Sequence, residues 1–186
     1  DGNFKPQFDD AVPQPPATKP ANGPRVLIVG GGSSHDFVKF FGGTDKATVL
    51  HHVVETLRLP PEVDREFLFE VLLAREALGS TAIGDGIAIP HVRNPVILHL
   101  ERPLIMLCFL ERPVDFGALD GEKVNTLFTL ISPTVRAHLH LLSRLSFALR
   151  DRGFKEAVLQ QLAREEIFAA AERADANRKV AVATGR

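Results

Sequence analysis

A glycine-rich segment ending in Pro90-His91 holds the residues with the clearest chemical potential. Residues 79–91 carry three glycines, the hydroxyls of Ser80 and Thr81, and a short apolar run just before Pro90. Glycine lets backbone amides approach an anion closely, and neutral imidazole is a nucleophile near pH 7. The pattern favours a displayed, nucleophilic His91 beside an anion-binding loop. An ordinary surface histidine is the alternative that it leaves open.

A second pair of histidines, His138 and His140, lies in a stretch with helical spacing. At about 100° per residue, His138 shares a face with three leucines and His140 lies on the opposite face. The leucines are Leu142, Leu145 and Leu149. We therefore predict that His138 points inward at the start of a helix, where anions are favoured, while His140 is solvated. A buried, hydrogen-bonded histidine is the alternative for His138.

Other kinds of site find little support in the motifs. His91 and His138 lack the spacing of zinc ligands, and the chain has one cysteine, so no metal is expected. That residue, Cys108, lies in an apolar run and is predicted to be a core residue. The chain has neither a Gly-x-Ser-x-Gly elbow nor a Gly-Lys-Ser/Thr phosphate loop. No cofactor is expected.

Composition narrows the class of protein. The chain has 186 residues, of which 45% are hydrophobic, and a formal net charge of −1. These values fit a globular domain and argue against a nucleic-acid partner. No apolar stretch approaches the roughly 18 residues that span a bilayer, and no signal peptide is visible. With a single cysteine, we expect a cytoplasmic protein that does not insert into membranes.

The first third of the chain is predicted to contain a lead-in, a strand and two helices. Residues 1–24 are proline-rich and are expected to be disordered, and residues 25–48 are expected to form an accessory strand at 26–29 and a glycine-rich loop. Thr44 is predicted to cap a helix with a buried face and with His51 and His52 solvated. That face comprises Leu50, Val53, Val54 and Leu57. The next helix, 62–78, is predicted to be buried on more than one side and to end at Gly79.

The remainder alternates between strand and helix patterns. Strands are predicted at 87–89, 104–110 and 126–131, a turn at 119–122, and helices at 134–150, 154–162 and 165–173. Residues 174–186 are expected to be a frayed tail. The predicted class is α/β, a small mixed β-sheet flanked by helices.

Several of these motifs resemble the signature of enzyme IIA domains of the bacterial phosphotransferase system, in its fructose/mannitol and nitrogen-regulatory branch. Residues 75–81 and 84–91 carry the densest agreement, and shorter segments agree in the same order further on. Those segments are 112–116, 119–121, 132–133 and 138–139. The resemblance covers about 49–173, which predicts one domain over that range with the enzyme IIA fructose/mannitol-type fold.

The resemblance implies a phosphorelay without metal or cofactor. It implies that His91 accepts a phosphoryl group from the histidine phosphocarrier protein, through a phosphohistidine intermediate, and passes it to an enzyme IIB. It further implies that His138 lines the same pocket and that Arg75, Ser80 and Thr81 bind the phosphoryl group. The alternative is a regulatory module whose phosphorylation state selects the protein that it binds. Whether the chain forms a homodimer is left open.

Residues 25–37 also resemble the opening strand and loop of ThuA-like proteins, which have a class I amidotransferase-like fold. The matching stretch is too short to form such a domain. We therefore keep the accessory strand as the interpretation, and His35 is not a candidate site residue.

Overall fold

A computed structural model describes residues 26–30, 44–92 and 103–184 of the chain, with side chains over 44–92 and 103–180. The elements are β1 (Val26–Gly30), α1 (Lys46–Thr56), α2 (Arg65–Ala77), β2 (Ala82–Gly84), β3 (Ile87–Ala88), β4 (Leu104–Val114), β5 (Val124–Ile131), α3 (Val135–Ala148), α4 (Arg152–Leu159) and α5 (Arg164–Thr184). They form two compact units, one up to Thr134 and one from Val135. The predicted lead-in, the glycine-rich loop and His35 lie outside the described residues.

The first unit contains a five-stranded mixed sheet in the order β1-β4-β5-β3-β2. β3 and β5 are parallel, and the other neighbouring pairs are antiparallel. The predicted mixed α/β class and the strands at 26–29, 87–89, 104–110 and 126–131 are confirmed. β2 was not predicted, because three residues are too few to show an alternating pattern.

Helices α1 and α2 pack their apolar sides against this sheet in one core. Asp45, not Thr44, caps α1, because its carboxylate accepts the Thr48 N–H at 2.9 Å. The predicted apolar face of α1 is buried. His51 is exposed as predicted, but His52 is half-buried, so the prediction that both are solvated is wrong.

Helix α2 starts later than predicted and buries a narrower face. Asp64 caps it by accepting the Phe67 N–H at 3.0 Å. Its buried residues are Leu68, Leu72 and Glu76, which recur every four positions, and Phe67 is exposed. The fully buried residues form one stripe, and Phe69 and Val71 on either side of it are half-buried against the core, so the expected burial on more than one side is confirmed only in part.

The second unit contains α3, α4 and α5. His138 is buried and His140 is exposed, as the helical spacing predicted. The prediction of a frayed tail from residue 174 is wrong, because α5 continues to Thr184. Ala174 is fully buried, and Asp175 pairs with Arg144 of α3 at 2.9 Å. These contacts hold the helix beyond the point where its apolar pattern weakens.

Candidate functional site

Arg75 lies in the last turn of α2, next to the loop that leads to β2. A cation at this end of a helix is favoured by the helix dipole. Its Nη1 donates to the Gly79 carbonyl oxygen at 2.9 Å, and its Nε donates to Nε2 of His91 at 3.1 Å. Arg75 thus connects the end of α2 to the histidine that follows β3.

The backbone around His91 is fixed to the sheet on both sides. The Ile89 N–H donates to the Thr81 carbonyl and the Leu130 N–H donates to the Pro90 carbonyl, each at 2.9 Å. His91 itself pairs with Leu130 in a parallel bridge. With Pro90 restricting its own φ, little backbone freedom remains, and the half-buried imidazole is held in a defined place beside Arg75.

The hydrogen bonds of His91 identify its tautomer. Nδ1 lies 2.8 Å from the Ile89 carbonyl oxygen. Because a carbonyl oxygen only accepts, Nδ1 carries the proton. Nε2 then has a lone pair, which accepts the Arg75 Nε–H. The geometry therefore leaves Nε2 as the ring nitrogen that could act as a nucleophile.

The surroundings of His91 favour its neutral form. Burial lowers the pKa of the imidazole below its ordinary value, and the Arg75 charge lowers it further. The hydrogen bond with Ile89 and the charge of Glu76 oppose these effects without cancelling them. The ring is therefore unprotonated, and able to attack, at lower pH than a free histidine.

The loop between α2 and β2 is held by Glu76, whose role the sequence did not predict. The buried Glu76 carboxylate accepts the Thr81 N–H at 3.1 Å and the Thr81 hydroxyl at 2.6 Å. Ser80 is exposed, and its hydroxyl accepts the Ala82 N–H at 3.1 Å. The sequence did contain a signal for the burial of Glu76, because this residue follows Leu68 and Leu72 at the same four-residue spacing.

The turn between β2 and β3 has an unusual backbone that aligns the strand leading to His91. Gly84, Asp85 and Gly86 have φ values of 99°, 53° and 71°. Asp120 accepts the Asp85 N–H at 2.9 Å, and the Gly86 carbonyl accepts both the Asn125 and the Thr126 N–H groups. The turn is thus fastened to the 118–121 turn and to β5.

An open pocket lies beside Arg75. Its volume is about 310 Å³, and it is lined by Arg75, Leu78, Gly79 and Ser80. A guanidinium, a hydroxyl and loop backbone are groups that suit a phosphoryl-sized anion. The pocket therefore has groups that could bind an anion, and it shares Arg75 with the Nε2 atom of His91.

The candidate site residues are divided between the two compact units. Arg75, Ser80, Thr81 and His91 belong to the first, where Arg75 and His91 are in direct contact. His138 belongs to the second, near the start of α3, where it is 6% exposed.

Two further kinds of feature are absent from the described ranges. Among the residues of 44–92 and 103–180, no three His, Cys, Asp or Glu side chains are grouped as a metal site would require. No helix in the described part of the chain is long and apolar enough to cross a membrane.

Comparison with known proteins gives a consistent result. The sequence profile of the family described as "Phosphoenolpyruvate-dependent sugar phosphotransferase system, EIIA 2" matches residues 36–173. The match begins upstream of residue 49, where the predicted domain starts. The chain is 42% identical over 114 residues to a nitrogen regulatory protein of Pseudomonas aeruginosa, covering 60% of this chain and 71% of that one. It is 37% identical over 114 residues to the nitrogen regulatory protein of Escherichia coli K12, covering 60% and 66%.

The relatives and solved structures differ in how much they share with this chain. The chain spans 55% of the nitrogen regulatory protein of Bradyrhizobium diazoefficiens, and about two thirds of several other curated relatives. The structure of nitrogen regulatory protein IIA-Ntr from Neisseria meningitidis superposes with a TM-score of 0.61 at 28% identity, covering 70% of this chain and 89% of that one. The structure of IIA mannitol from Escherichia coli, at 19% identity and a TM-score of 0.54, covers 70% and 92% and shares the fold.

Proposed function

The chain belongs to the EIIA 2 family of the phosphoenolpyruvate-dependent sugar phosphotransferase system, and on this premise we propose that His91 is the residue that carries its phosphoryl group. Members of the family act as phosphoryl carriers or regulatory components, and EIIA domains pass phosphoryl groups to IIB proteins.

The observation that carries the proposal is the pair of hydrogen bonds on the His91 ring. The Ile89 carbonyl holds the proton on Nδ1 at 2.8 Å, which leaves the lone pair of Nε2 directed at Arg75. A nucleophile with a fixed tautomer and an adjacent guanidinium is the arrangement that phosphoryl transfer needs, because catalysis there is mostly positioning and charge stabilisation.

The transfer itself requires Arg75 to change partner. Nε2 attacks the phosphorus of a phosphohistidine on the donor, and the donor imidazole leaves with the electron pair of its P–N bond. The Arg75 Nε–H releases Nε2 as the new P–N bond forms, and the guanidinium then pairs with phosphoryl oxygens. The Nδ1 proton stays on His91, where the Ile89 carbonyl stabilises the positive charge that the ring gains.

The other predicted site residues take different parts in this proposal. Ser80 faces solvent beside the pocket and is available to the phosphoryl oxygens. The Thr81 hydroxyl is already donated to Glu76, so Thr81 acts by ordering the loop. His138, which belongs to the second unit, is proposed to take part in the transfer as the family resemblance implies. It is buried in the first turn of α3, where the helix dipole favours anions.

We propose that the donor is the histidine phosphocarrier protein and that the site works in the cytoplasm. Three large apolar side chains support a protein-docking surface near the pocket, because Leu78, Ile83 and Leu119 are 68%, 54% and 105% exposed. Leu78 lines the pocket, and Ile83 and Leu119 lie next to the two turns that Asp120 joins. Exposed apolar groups beside polar ones are typical of protein interfaces.

Labelling with radioactive phosphoenolpyruvate in the presence of enzyme I and the phosphocarrier protein tests this function. The wild-type chain should acquire an acid-labile label, and His91→Ala should acquire none. His51→Ala, an exposed histidine on α1, is the matched control and should label normally. Unlabelled wild type, or undiminished label on His91→Ala, would contradict the proposal.

A second pair of variants tests His138. His138→Ala should slow labelling, whereas His140→Ala, on the exposed face of the same helix, should not. Addition of an enzyme IIB then distinguishes the two roles open to the family. Transfer of the label to enzyme IIB supports a relay, and retention of the label with altered protein binding supports a regulatory module.

We also propose that residues 49–173 make up the functional domain and that the predicted accessory segment 25–48 is accessory only up to the start of α1 at Lys46. The match to the Pseudomonas aeruginosa relative covers 114 residues, and the family match covers 36–173. Both support a domain of about this extent.

A further inference from the structure

Glu76 is a buried carboxylate next to the proposed phosphoryl-binding residue Arg75. Its side chain is 1% exposed, yet carboxylates are seldom fully buried unless they are paired. The Thr81 N–H and hydroxyl satisfy it, the hydroxyl at 2.6 Å. A neutral glutamine could accept the same two hydrogen bonds, so these contacts alone do not explain why a charge is buried here.

Lys46 of α1 provides the only opposite charge that pairs with this carboxylate among the described residues. Its Nζ lies 3.8 Å from Oε1 of Glu76, and its side chain is 40% exposed. The buried Glu76 carboxylate therefore has the more exposed Lys46 beside it, and its chain neighbour Arg75 contacts His91. Because Lys46 is partly hydrated, it compensates the buried charge only in part.

Glu76 and Arg75 act on His91 in opposite directions. The negative charge of Glu76 raises the pKa of His91, whereas the positive charge of Arg75 lowers it. The same two charges act on a phosphoryl dianion attached to Nε2, and there Arg75 attracts while Glu76 repels. A carrier that bound its phosphoryl group too tightly would not give it up, so an opposing fixed charge is useful.

We propose that Glu76 is a positioning residue whose buried carboxylate fixes the Ser80–Thr81 loop and whose negative charge keeps the phosphoryl group on His91 transferable. This inference rests on the proposed function of His91. It assigns to Glu76 an effect on the equilibrium of transfer, and it assigns to Lys46 a smaller effect of opposite sign. No new ligand or co-reactant is involved.

The first test is Glu76→Gln, which keeps the shape and the hydrogen-bond acceptor but removes the charge. The equilibrium constant between the phosphorylated phosphocarrier protein and phosphorylated chain should shift roughly threefold to tenfold toward the phosphorylated chain, as for one charge at partly screened distance. The His91 imidazole, followed by NMR, should titrate at lower pH than in the wild type. Glu70→Gln, an exposed residue on the same helix, is the matched control and should change neither value.

The second test is Lys46→Met, which leaves the Glu76 charge without its partner. The equilibrium should move the other way, roughly twofold away from the phosphorylated chain, because Lys46 is partly exposed and screened. The His91 titration should move to higher pH. General damage to the fold would not produce shifts of opposite sign in the two variants.

Three results would overturn the inference. One is an equilibrium in Glu76→Gln equal to that of Glu70→Gln, and another is a Lys46→Met shift in the same direction as that of Glu76→Gln. If Glu76→Gln does not fold, as judged by circular dichroism, an unchanged or inverted Lys46→Met shift also overturns it. If the wild type is labelled normally and the variants have the same equilibrium as the wild type, only the role of Glu76 is refuted. If the wild type is not labelled, the proposed function of His91 is refuted as well.

Discussion

At the scale of single residues, the properties of His91 follow from two neighbours and from burial. Ile89 fixes the ring proton on Nδ1, and Arg75 contacts the opposite nitrogen. Burial has the largest effect on the pKa of His91. It lowers this pKa, as does the charge of Arg75, against the opposing effect of the hydrogen bond with Ile89. Both favour the neutral ring, which is the form that attacks phosphorus.

The pH dependence of His91 is therefore predictable. Its imidazole should titrate below the ordinary value of 6.5, so labelling persists when pH falls through that value. Since the unfolded chain takes up the proton first, acidification below 6.5 also destabilises the fold through this residue. Arg75→Gln should raise the His91 pKa while reducing the labelling rate roughly a hundredfold, as for loss of one charge-stabilising donor. NMR titration checks the first effect and labelling kinetics the second.

A His91 titration at or above 6.5 in the wild type would contradict this description. So would an Arg75→Gln variant whose imidazole titrates at lower pH than the wild type.

At the scale of elements, the turn between β2 and β3 determines where the strand before His91 lies. Three consecutive residues there have positive φ, a conformation that glycine adopts without cost and other residues do not. At Gly86, a Cβ would also lie 3.3 Å from the Asn125 side chain and 3.4 Å from the Lys123 carbonyl oxygen. The turn therefore depends on glycine for both backbone and space.

Gly86→Ala should destabilise the chain by about 1–2 kcal/mol from the left-handed backbone, with an added cost from the close Asn125 contact. Gly117→Ala is the control, because its φ is similar at 70° and nothing lies within 4 Å of its Cβ. Urea denaturation monitored by circular dichroism measures both. Equal losses in the two variants would mean that the space around Gly86 has no effect.

At the scale of the whole molecule, each compact unit has its own stabilising contacts. The first unit has a core between its sheet and helices α1 and α2. In the second unit, Asp175 of α5 contacts Arg144 of α3 at 2.9 Å, and Arg178 and Lys179 lie at 3.1 and 3.3 Å. This cluster stabilises the part of α5 that extends beyond the family match at residue 173.

Asp175→Asn should therefore lower the stability of the second unit, but by no more than about 1 kcal/mol, since the ion pairs are near the surface. Burial raises the Asp175 pKa, but the hydrogen bond from Arg178 and the charge of Arg144 lower it more, so the net pKa is below 3.8. The carboxylate contribution is thus complete above 3.8 and is lost as pH falls through the folded value. Thermal denaturation at neutral and acidic pH measures it.

Glu172→Gln, an exposed change on the same helix, should leave the melting temperature unchanged. A stability difference between Asp175→Asn and wild type that persists in strong acid would contradict the role of the ion pairs.

Spacing within single elements predicted much of the local structure and made His91 the candidate reactive residue. Strands β4 and β5 show long apolar runs, α3 shows a 3.6-residue period that separated His138 from His140, and the Pro90-His91 motif identified the nucleophile as a candidate. Each of these signals is local, because it depends on the spacing of residues within one element or on a short motif.

The neighbours of His91 and the shift of its pKa could be read from the folded structure alone. Glu76 and Asp120 act on residues in other turns and strands, and a buried carboxylate on α2 differs from a solvated one only by what packs against it. The errors in the helix boundaries have separate causes. Asp45 and Thr44 are both good caps, and α5 extends beyond its apolar pattern because a residue on α3 pairs with it. The tautomer of His91 depends on the nearby Ile89 carbonyl, but the Arg75 contact with Nε2 and the burial that lowers the pKa come from residues distant in the sequence, which sequence spacing does not record.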